Sequence, residues 1–166
     1  MLKTIWQNLS DVDRFAAALL KALDRRGLTI ALCGDLGAGK TQLVRSLAAA
    51  AEVDEDVSSP TFVLMQTYHA LEHTLVHTDF YRLSSVDELD SVGLSEWFDS
   101  DAVVLVEWAD KFPGYLPEDR LTIAIESMLD DTRHVEVRGS GPLSIAVAQS
   151  LADALLQNST GDAAAD

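Results

Sequence analysis

The feature that most constrains the fold of this chain is a glycine-rich stretch, residues 34–41, which reads GDLGAGKT. The residues before it, 28–33, form an apolar run that is typical of a buried strand. The residues after it, 41–51, place apolar side chains at helical spacing and contain neither glycine nor proline. A strand, a loop of this pattern and a helix are together the signature of a phosphate-binding P-loop. The sequence therefore predicts a site for a nucleoside polyphosphate at the end of a strand.

The residue types of this loop match what a polyphosphate requires. Glycines permit backbone conformations that a side chain forbids, and the loop amides at a helix N-terminus form a nest for anions. Lys40 would reach the phosphates, and the hydroxyl of Thr41 would bind Mg²⁺. The alternative, a turn that merely caps a helix, would not need every fixed position of the motif. The residues expected to contact the nucleotide here are Asp35, Leu36, Gly37, Ala38, Gly39, Lys40, Thr41 and Gln42.

Two acidic residues at the ends of predicted strands are candidates for catalysis together with Lys40. Strand 74–79 ends at Asp79, and the apolar run 102–106, which is typical of a buried central strand, leads into Glu107. Ligands of α/β sheets bind at the carboxyl ends of the strands, so both side chains are expected near the loop. Glu107 has the position of a Walker B acid that meets Mg²⁺, and Asp79 could orient a water or hold the metal through water. The alternatives are a turn or cap for Asp79 and a simple strand end for Glu107.

Three further residues near these motifs have two readings each. Thr61 follows Pro60, which excludes a helix there, and it could sense the γ-phosphate or could be an ordinary turn residue. His77 is expected to pack or to form a hydrogen bond, because no second histidine or cysteine stands at ligand spacing. Trp108 is expected either beside the nucleotide or in the core.

The rest of the pattern completes one α/β domain. We predict a three-layer P-loop NTPase with a mixed, mostly parallel central sheet over residues 1–157, followed by a disordered tail over 158–166. The other predicted elements are an edge strand within 2–9, a helix that begins at a capping box of Ser10 and Asp13 and ends at Gly27, a hairpin of 62–69 and 74–79, a helix over 86–92, a hairpin of 121–126 and 133–138, and a last helix that begins at Gly141.

Charge and composition limit the partners. The formal net charge is −15, which opposes direct binding to DNA, RNA or an anionic membrane, so an RNA-linked role would work through a partner protein. No apolar run reaches the length of a membrane span, and the N-terminus lacks a signal pattern. The single cysteine, Cys33, cannot form an internal disulfide and is expected as a small core residue. The expected location is the cytoplasm.

Four separated motifs together closely resemble the bacterial TsaE family. They are the loop at 34–41, SPTF at 59–62, HTDFYR at 77–82 and EWAD at 107–110. The resemblance covers residues 10–126, and it is specific because only the first motif is common to P-loop proteins in general. From residue 127 onward the match is loose.

This resemblance implies a small cytoplasmic ATPase that works with the TsaB and TsaD proteins. Together they make N6-threonylcarbamoyladenosine at position 37 of tRNAs that read ANN codons, and the TsaE-like member does not transfer the threonylcarbamoyl group itself. It further implies that Lys40 and the loop amides hold the phosphates of ATP, that Thr41 and Glu107 hold Mg²⁺, and that Asp79 is needed for hydrolysis. Thr61 matches the switch-like threonine of the family.

The expected reaction is Mg²⁺-assisted attack of water on the γ-phosphate of ATP. No Asn-Lys-x-Asp or Thr-Lys-x-Asp run is present, which favours ATP over GTP. No residue clearly supplies an arginine finger, so slow hydrolysis alone and faster hydrolysis with partners are expected. Which of Asp79 and Glu107 orients the water stays open. The alternatives are a small-molecule or nucleoside kinase, which the sparse arginines disfavour, and a nucleotide-gated binding module.

Overall fold

In the part of the chain that the structure describes, seven strands form one sheet, and helices lie on both of its faces. The computed structural model describes residues 1–58, 60 and 64–161, and for 158–161 it describes the backbone alone. The strands are β1 (Leu2–Trp6), β2 (Leu28–Cys33), β3 (Met65–His69), β4 (Thr74–Asp79), β5 (Val103–Glu107), β6 (Arg120–Ser127) and β7 (Arg133–Gly139). The helices are α1 (Leu9–Leu23), α2 (Lys40–Ala50), α3 (Val86–Val92) and α4 (Pro142–Gly161), with short 3-10 helices at Leu94–Trp97 and Ala109–Lys111.

The strand order is β1-β7-β6-β2-β5-β4-β3. The four central strands, β6, β2, β5 and β4, pair in parallel, whereas the three outer pairings are antiparallel. This confirms the predicted three-layer α/β fold with a mixed sheet that is parallel at its centre. Because β2 lies between β6 and β5, the loop that follows β2 opens at the middle of the edge where ligands of such sheets bind.

The two faces of the sheet carry separate clusters of buried side chains. The first cluster packs α1, α2 and α4 against the sheet and includes Phe15, Leu19 and Leu47. The second lies under α3 and the neighbouring 3-10 helix and includes Phe80 and Leu89. Both faces of the central strands are therefore covered, which is why β5 reads as an uninterrupted apolar run.

The start of α1 differs from the prediction. The side chain of Asn8 accepts a hydrogen bond from the Asp11 amide, and the side chain of Asp11 accepts one from the Asn8 amide, both at 3.2 Å. The capping box therefore lies two residues before the predicted pair of Ser10 and Asp13, and that prediction is wrong. Asp13 has another partner, because its carboxylate accepts a 2.6 Å hydrogen bond from the hydroxyl of Ser46 in α2.

The helix α1 also ends before the predicted Gly27, since its C-cap is Asp24 in the left-handed region with φ of 49°. Gly27 has a different role: a Cβ there would lie 2.3 Å from the carbonyl oxygen of Ser100. The glycine thus permits a close approach of two backbones at the start of β2.

Three predictions can be compared with the structure only over the residues that it describes. The predicted strand 62–69 is seen from Met65 onward as β3, and residues 61–63 lie outside the described residues. The helix α4 is assigned through Gly161, and residues 162–166 are likewise outside, so the predicted tail stays a prediction. Within the described ranges, no helix combines the length and apolarity that a membrane crossing would need.

Candidate nucleotide site

The loop between β2 and α2 adopts a conformation that depends on glycine. Gly34 has φ of 141°, and a Cβ there would lie 2.3 Å from the carbonyl oxygen of Ile125 in β6. Gly39 is the N-cap of α2 with φ of 115°, a value that L side chains rarely adopt. The predicted sequence of strand, glycine-rich loop and helix is therefore present, and the loop amides lie at a helix N-terminus suited to an anion.

Lys40 is held close to its own loop. Its side chain is only 4% exposed, and its ammonium donates hydrogen bonds to the carbonyl oxygens of Gly34 (2.6 Å) and Asp35 (2.9 Å). Burial lowers the pKa of the Lys40 ammonium, and the negative charges of Glu107 and Asp79 offset part of that change. A cation in this position adds positive charge to the anion nest that the loop amides form.

Glu107, the last residue of β5, contacts side chains of both α2 and β4. The hydroxyl of Thr41 lies 2.8 and 2.9 Å from its two carboxylate oxygens and donates to them. Nε2 of His77 lies 2.9 Å from Oε1 of the same carboxylate. The hydroxyl and the carboxylate predicted to share a metal ion are thus neighbours, although 66 residues separate them in sequence. The prediction that His77 packs or forms a hydrogen bond agrees with this contact.

Asp79 lies beside Glu107 because β4 and β5 pair in parallel with these two residues in register. It is 5% exposed, and its Oδ1 accepts a 2.8 Å hydrogen bond from the amide of Tyr81. The next amide, that of Phe80, donates to the carbonyl oxygen of Glu107 at 3.0 Å. Asp79 is therefore a turn-forming residue by geometry, and it also lines the cavity described below.

Trp108 lines the site and also packs, half-buried, against the second core cluster. Its backbone is in the left-handed region with φ of 55°, a conformation that costs a large side chain about 1 kcal/mol or more. Its ring centroid is 4.1 Å from the Lys40 ammonium and 4.9 Å from the ring centroid of Tyr81. An aromatic face this close to an ammonium is a cation–π contact. Trp108 therefore meets both expectations in part, because it contacts the core cluster and also faces the cavity beside Lys40.

A cavity of about 380 Å³ connects these groups. It is lined by Leu36, Gly37, Gly39, Lys40, Thr41, Gln42, Asp79, Tyr81, Glu107 and Trp108. The residues predicted from the two acidic motifs and from most of the loop therefore lie together. Asp35 and Ala38 line neighbouring cavities instead, of about 620 and 330 Å³. Thr61 lies outside the described residues.

Arg133 is a contact of the loop that the sequence did not suggest. Its Nε donates a 3.1 Å hydrogen bond to the carbonyl oxygen of Ala38, across 95 residues of sequence. Its Nη1 also bonds the carbonyl oxygens of Asp131 and Thr132 in the turn before β7. No local motif marks this residue, because only the antiparallel pairing of β6 with β7 brings it to the loop.

The donor set fits Mg²⁺ better than a metal held by many protein ligands. Within the described ranges, no three or more His, Cys, Asp or Glu side chains are grouped so that they could hold a metal ion. Thr41 and Glu107 offer a hydroxyl and a carboxylate, which are hard oxygen donors. Mg²⁺ takes such ligands in small number and obtains the others from water and substrate phosphates.

Cys33 ends β2 directly before the loop and is half-buried against the second core cluster. Burial raises the pKa of its thiol. A raised pKa disfavours the thiolate, so its environment is that of a small packing residue, as predicted, and not that of a nucleophile.

Comparisons with known proteins identify the family of this chain. The family model described as threonylcarbamoyl adenosine biosynthesis protein TsaE matches residues 6–135. Proteins named tRNA threonylcarbamoyladenosine biosynthesis protein TsaE are similar to this chain. The protein of Streptomyces coelicolor is 40% identical, over 80% of this chain and 91% of its own length. The protein of Haemophilus influenzae is 36% identical, over 75% of this chain and 78% of its own length.

Similarity of structure extends further along the chain. The crystal structure of YdiB from Bacillus subtilis superposes with a TM-score of 0.78 at 29% sequence identity, and it covers 92% of this chain and 94% of YdiB. The match of the family model, the identity of the relatives over most of their length and the shared fold lead to one assignment. The chain belongs to the TsaE family, whose members are named for the biosynthesis of threonylcarbamoyladenosine in tRNA.

Proposed function

We propose that this chain is the ATP-binding and ATP-hydrolysing component of the bacterial machinery that forms N6-threonylcarbamoyladenosine at position 37 of tRNAs reading ANN codons. It acts with TsaB and TsaD in the cytoplasm and meets tRNA only through them. The observation that carries the proposal is the contact of the Thr41 hydroxyl with the Glu107 carboxylate at 2.8 Å, in a cavity that Lys40 also lines.

The position of each residue in the candidate site indicates its proposed role. The loop amides and Lys40 bind the phosphates and stabilise negative charge. Thr41 and Glu107 would hold Mg²⁺, which supplies positive charge for the phosphate oxygens when it is bound. Asp79, which lines the same cavity in register with Glu107, would accept a hydrogen bond from the attacking water and orient it. Since Glu107 already contacts the metal-binding hydroxyl, we assign the metal to Glu107 and the water to Asp79.

Partner proteins are expected to accelerate the reaction. Among the described residues that line the cavity, Lys40 alone is a lysine or arginine. In related reactions an added arginine that stabilises the transition state raises kcat by about 10³- to 10⁵-fold. The strongly acidic surface also favours contact with tRNA through other proteins and opposes direct contact.

The test measures phosphate release from ATP by the full chain, alone and with TsaB, TsaD and tRNA. We expect slow release alone, a rate that rises with the partners, and loss of activity in Lys40→Ala. The exposed Lys21→Ala, on α1 and away from the loop, serves as the matched control and should behave like the unaltered chain. A rate that does not respond to the partners would contradict their proposed role. Phosphate transferred to a nucleoside or small molecule would establish the kinase alternative instead.

A further inference from the structure

His77 is a buried polar residue that the proposed reaction does not use directly. Its side chain is fully buried in β4, and its Nε2 lies 2.9 Å from Oε1 of Glu107. Its other ring nitrogen, Nδ1, has no hydrogen-bond partner among the described residues. A buried imidazole with a single polar contact raises the question of what that contact does.

The register of the sheet explains how the ring reaches Glu107. His77 pairs with Leu105, and Asp79 pairs with Glu107, in parallel strands β4 and β5. Side chains two residues apart on a strand share one face, so His77, Asp79 and Glu107 all face the helix α2 that carries Thr41. The carboxylate of Glu107 is thus contacted from two elements, by the Thr41 hydroxyl from α2 and by the imidazole from β4.

Hydrogen-bonding chemistry fixes which nitrogen carries the proton. An ionised carboxylate only accepts, so Nε2 of His77 is the donor in its contact with Oε1 of Glu107. A donor that contacts one carboxylate oxygen restricts the orientation of the carboxylate. Leu75, two residues earlier on the same face of β4, is buried and apolar, and an apolar residue at position 77 would fill the strand without a buried nitrogen that has no partner among the described residues.

We propose that His77 is a positioning residue that orients the Glu107 carboxylate for Mg²⁺. The inference rests on the proposed function, since the metal is the one that Thr41 and Glu107 would hold. Thr41 contacts the carboxylate and would also be a metal ligand, whereas the Glu107 carboxylate is the one hydrogen-bond partner of the His77 ring among the described residues. Partners of this kind set the orientation of a metal ligand, and their loss typically lowers metal affinity by about 10- to 100-fold.

Three substitutions at this position separate positioning from packing. His77→Leu removes the donor and keeps an apolar filler of similar size. His77→Gln keeps an N–H donor at about the reach of Nε2, whereas His77→Asn is polar but too short to meet Glu107. His73→Leu is the matched control, because His73 is a second buried histidine that lies outside the site and lines a different cavity.

The readout is binding, not turnover. The affinity of the full chain for ATP is measured in EDTA and over a series of Mg²⁺ concentrations, and thermal unfolding is followed for each variant. We expect His77→Leu and His77→Asn to need about 10- to 100-fold more Mg²⁺ for the same gain in ATP affinity, with the affinity in EDTA unchanged. His77→Gln and His73→Leu should match the unaltered chain.

Two results would overturn the inference. An unchanged Mg²⁺ requirement in His77→Leu and His77→Asn would make His77 a core residue only. Equal loss of ATP affinity in EDTA for His77→Leu, His77→Asn and His77→Gln would show that the ring supports the fold. Failure of the proposed function is a separate outcome, because the unaltered chain would then bind ATP equally well with Mg²⁺ and with EDTA.

Discussion

Nε of Arg133 donates a 3.1 Å hydrogen bond to the carbonyl oxygen of Ala38, so the first residue of β7 holds the middle of the phosphate loop. The strand β7 is separated from β2 by β6, and no local sequence pattern predicts that β7 contacts the loop. The contact links the antiparallel part of the sheet, where β7 pairs with β1 and β6, to the candidate site.

Arg133→Ala should weaken nucleotide binding and destabilise the fold. Loss of this bond leaves the Ala38 carbonyl without a charged donor, which costs about 1 to 3 kcal/mol when the group is partly buried. Isothermal titration with ATP and urea unfolding measure the two effects. Arg138→Ala is the matched control, because the exposed Arg138 lies on the same strand and pairs with the half-buried Glu136. Equal behaviour of the two variants would contradict a role for Arg133 at the loop.

Asn8→Ala should lower the free energy of unfolding by about 1 kcal/mol, because Asn8 caps α1. Ser10→Ala should change it by less than about 0.5 kcal/mol, since Ser10 lies within the first turn and is not the cap. Urea unfolding monitored by circular dichroism compares the two variants directly. A larger loss in Ser10→Ala than in Asn8→Ala would mean that the helix starts where the sequence alone suggested.

Lys111→Met should slow hydrolysis more than it weakens ATP binding. The ammonium of Lys111 donates to the carbonyl oxygens of Tyr81 (2.6 Å) and Leu83 (2.8 Å), and it thereby holds the segment that follows Asp79. A small displacement of a group that orients water can reduce kcat by about 10- to 100-fold. Steady-state hydrolysis with TsaB and TsaD gives kcat and KM separately. Lys21→Met, on the exposed side of α1, is the control, and a change confined to KM would count against this role.

The stability contributed by Asp119 should depend on pH. Its carboxylate accepts hydrogen bonds from the amides of Leu143 (2.8 Å) and Ser144 (2.9 Å) and so caps α4 from outside that helix. Burial acts to raise its pKa, but the hydrogen bonds from Ser144 and Leu143 outweigh it, and the pKa lies below the ordinary value of 3.8.

Because the folded-state pKa is depressed, this contribution is fully present above about pH 4 and is lost as pH falls through the folded pKa. Asp119→Ala should therefore cost about 1 kcal/mol at pH 7 and less at pH 2 to 3. Urea unfolding at the two pH values measures the difference, with the exposed neighbour Glu118→Ala as control. A cost that stays constant with pH would mean that the carboxylate charge is irrelevant to the cap.

The sequence predicted the site where its signals were local. The loop at 34–41 has a fixed spacing between a strand and a helix, and both are found there. Asp79 and Glu107 were expected together because each closes a strand, and the parallel pairing of β4 with β5 places them in register. These signals depend on residues close in sequence and on the rule that ligands of α/β sheets bind at the carboxyl ends of the strands. Contacts between distant parts of the chain therefore do not alter them.

What the sequence could not predict depended on contacts between distant residues. The chain offers two overlapping capping boxes, Asn8 with Asp11 and Ser10 with Asp13, and local pattern cannot choose between them. The observed box of Asn8 with Asp11 agrees with the hydrogen bond that the Ser46 hydroxyl donates to the Asp13 carboxylate, because Asp13 then has a partner in α2. Arg133 likewise reaches the loop only through strand pairing. The contact of His77 with Glu107 had a weak signal, since residues 77 and 79 share a strand face, but its partner strand was unknown.

The central claim is that hydrolysis at the site of Lys40, Thr41 and Glu107 sustains tRNA modification. The most direct measurement is threonylcarbamoyladenosine formed over several turnovers by TsaB, TsaD and this chain, with ATP binding and phosphate release followed in parallel. Glu107→Gln should keep ATP binding in EDTA, lose phosphate release and lose modification beyond the first turnover, whereas the exposed Glu118→Gln should match the unaltered chain. Sustained modification by Glu107→Gln without phosphate release would contradict the account.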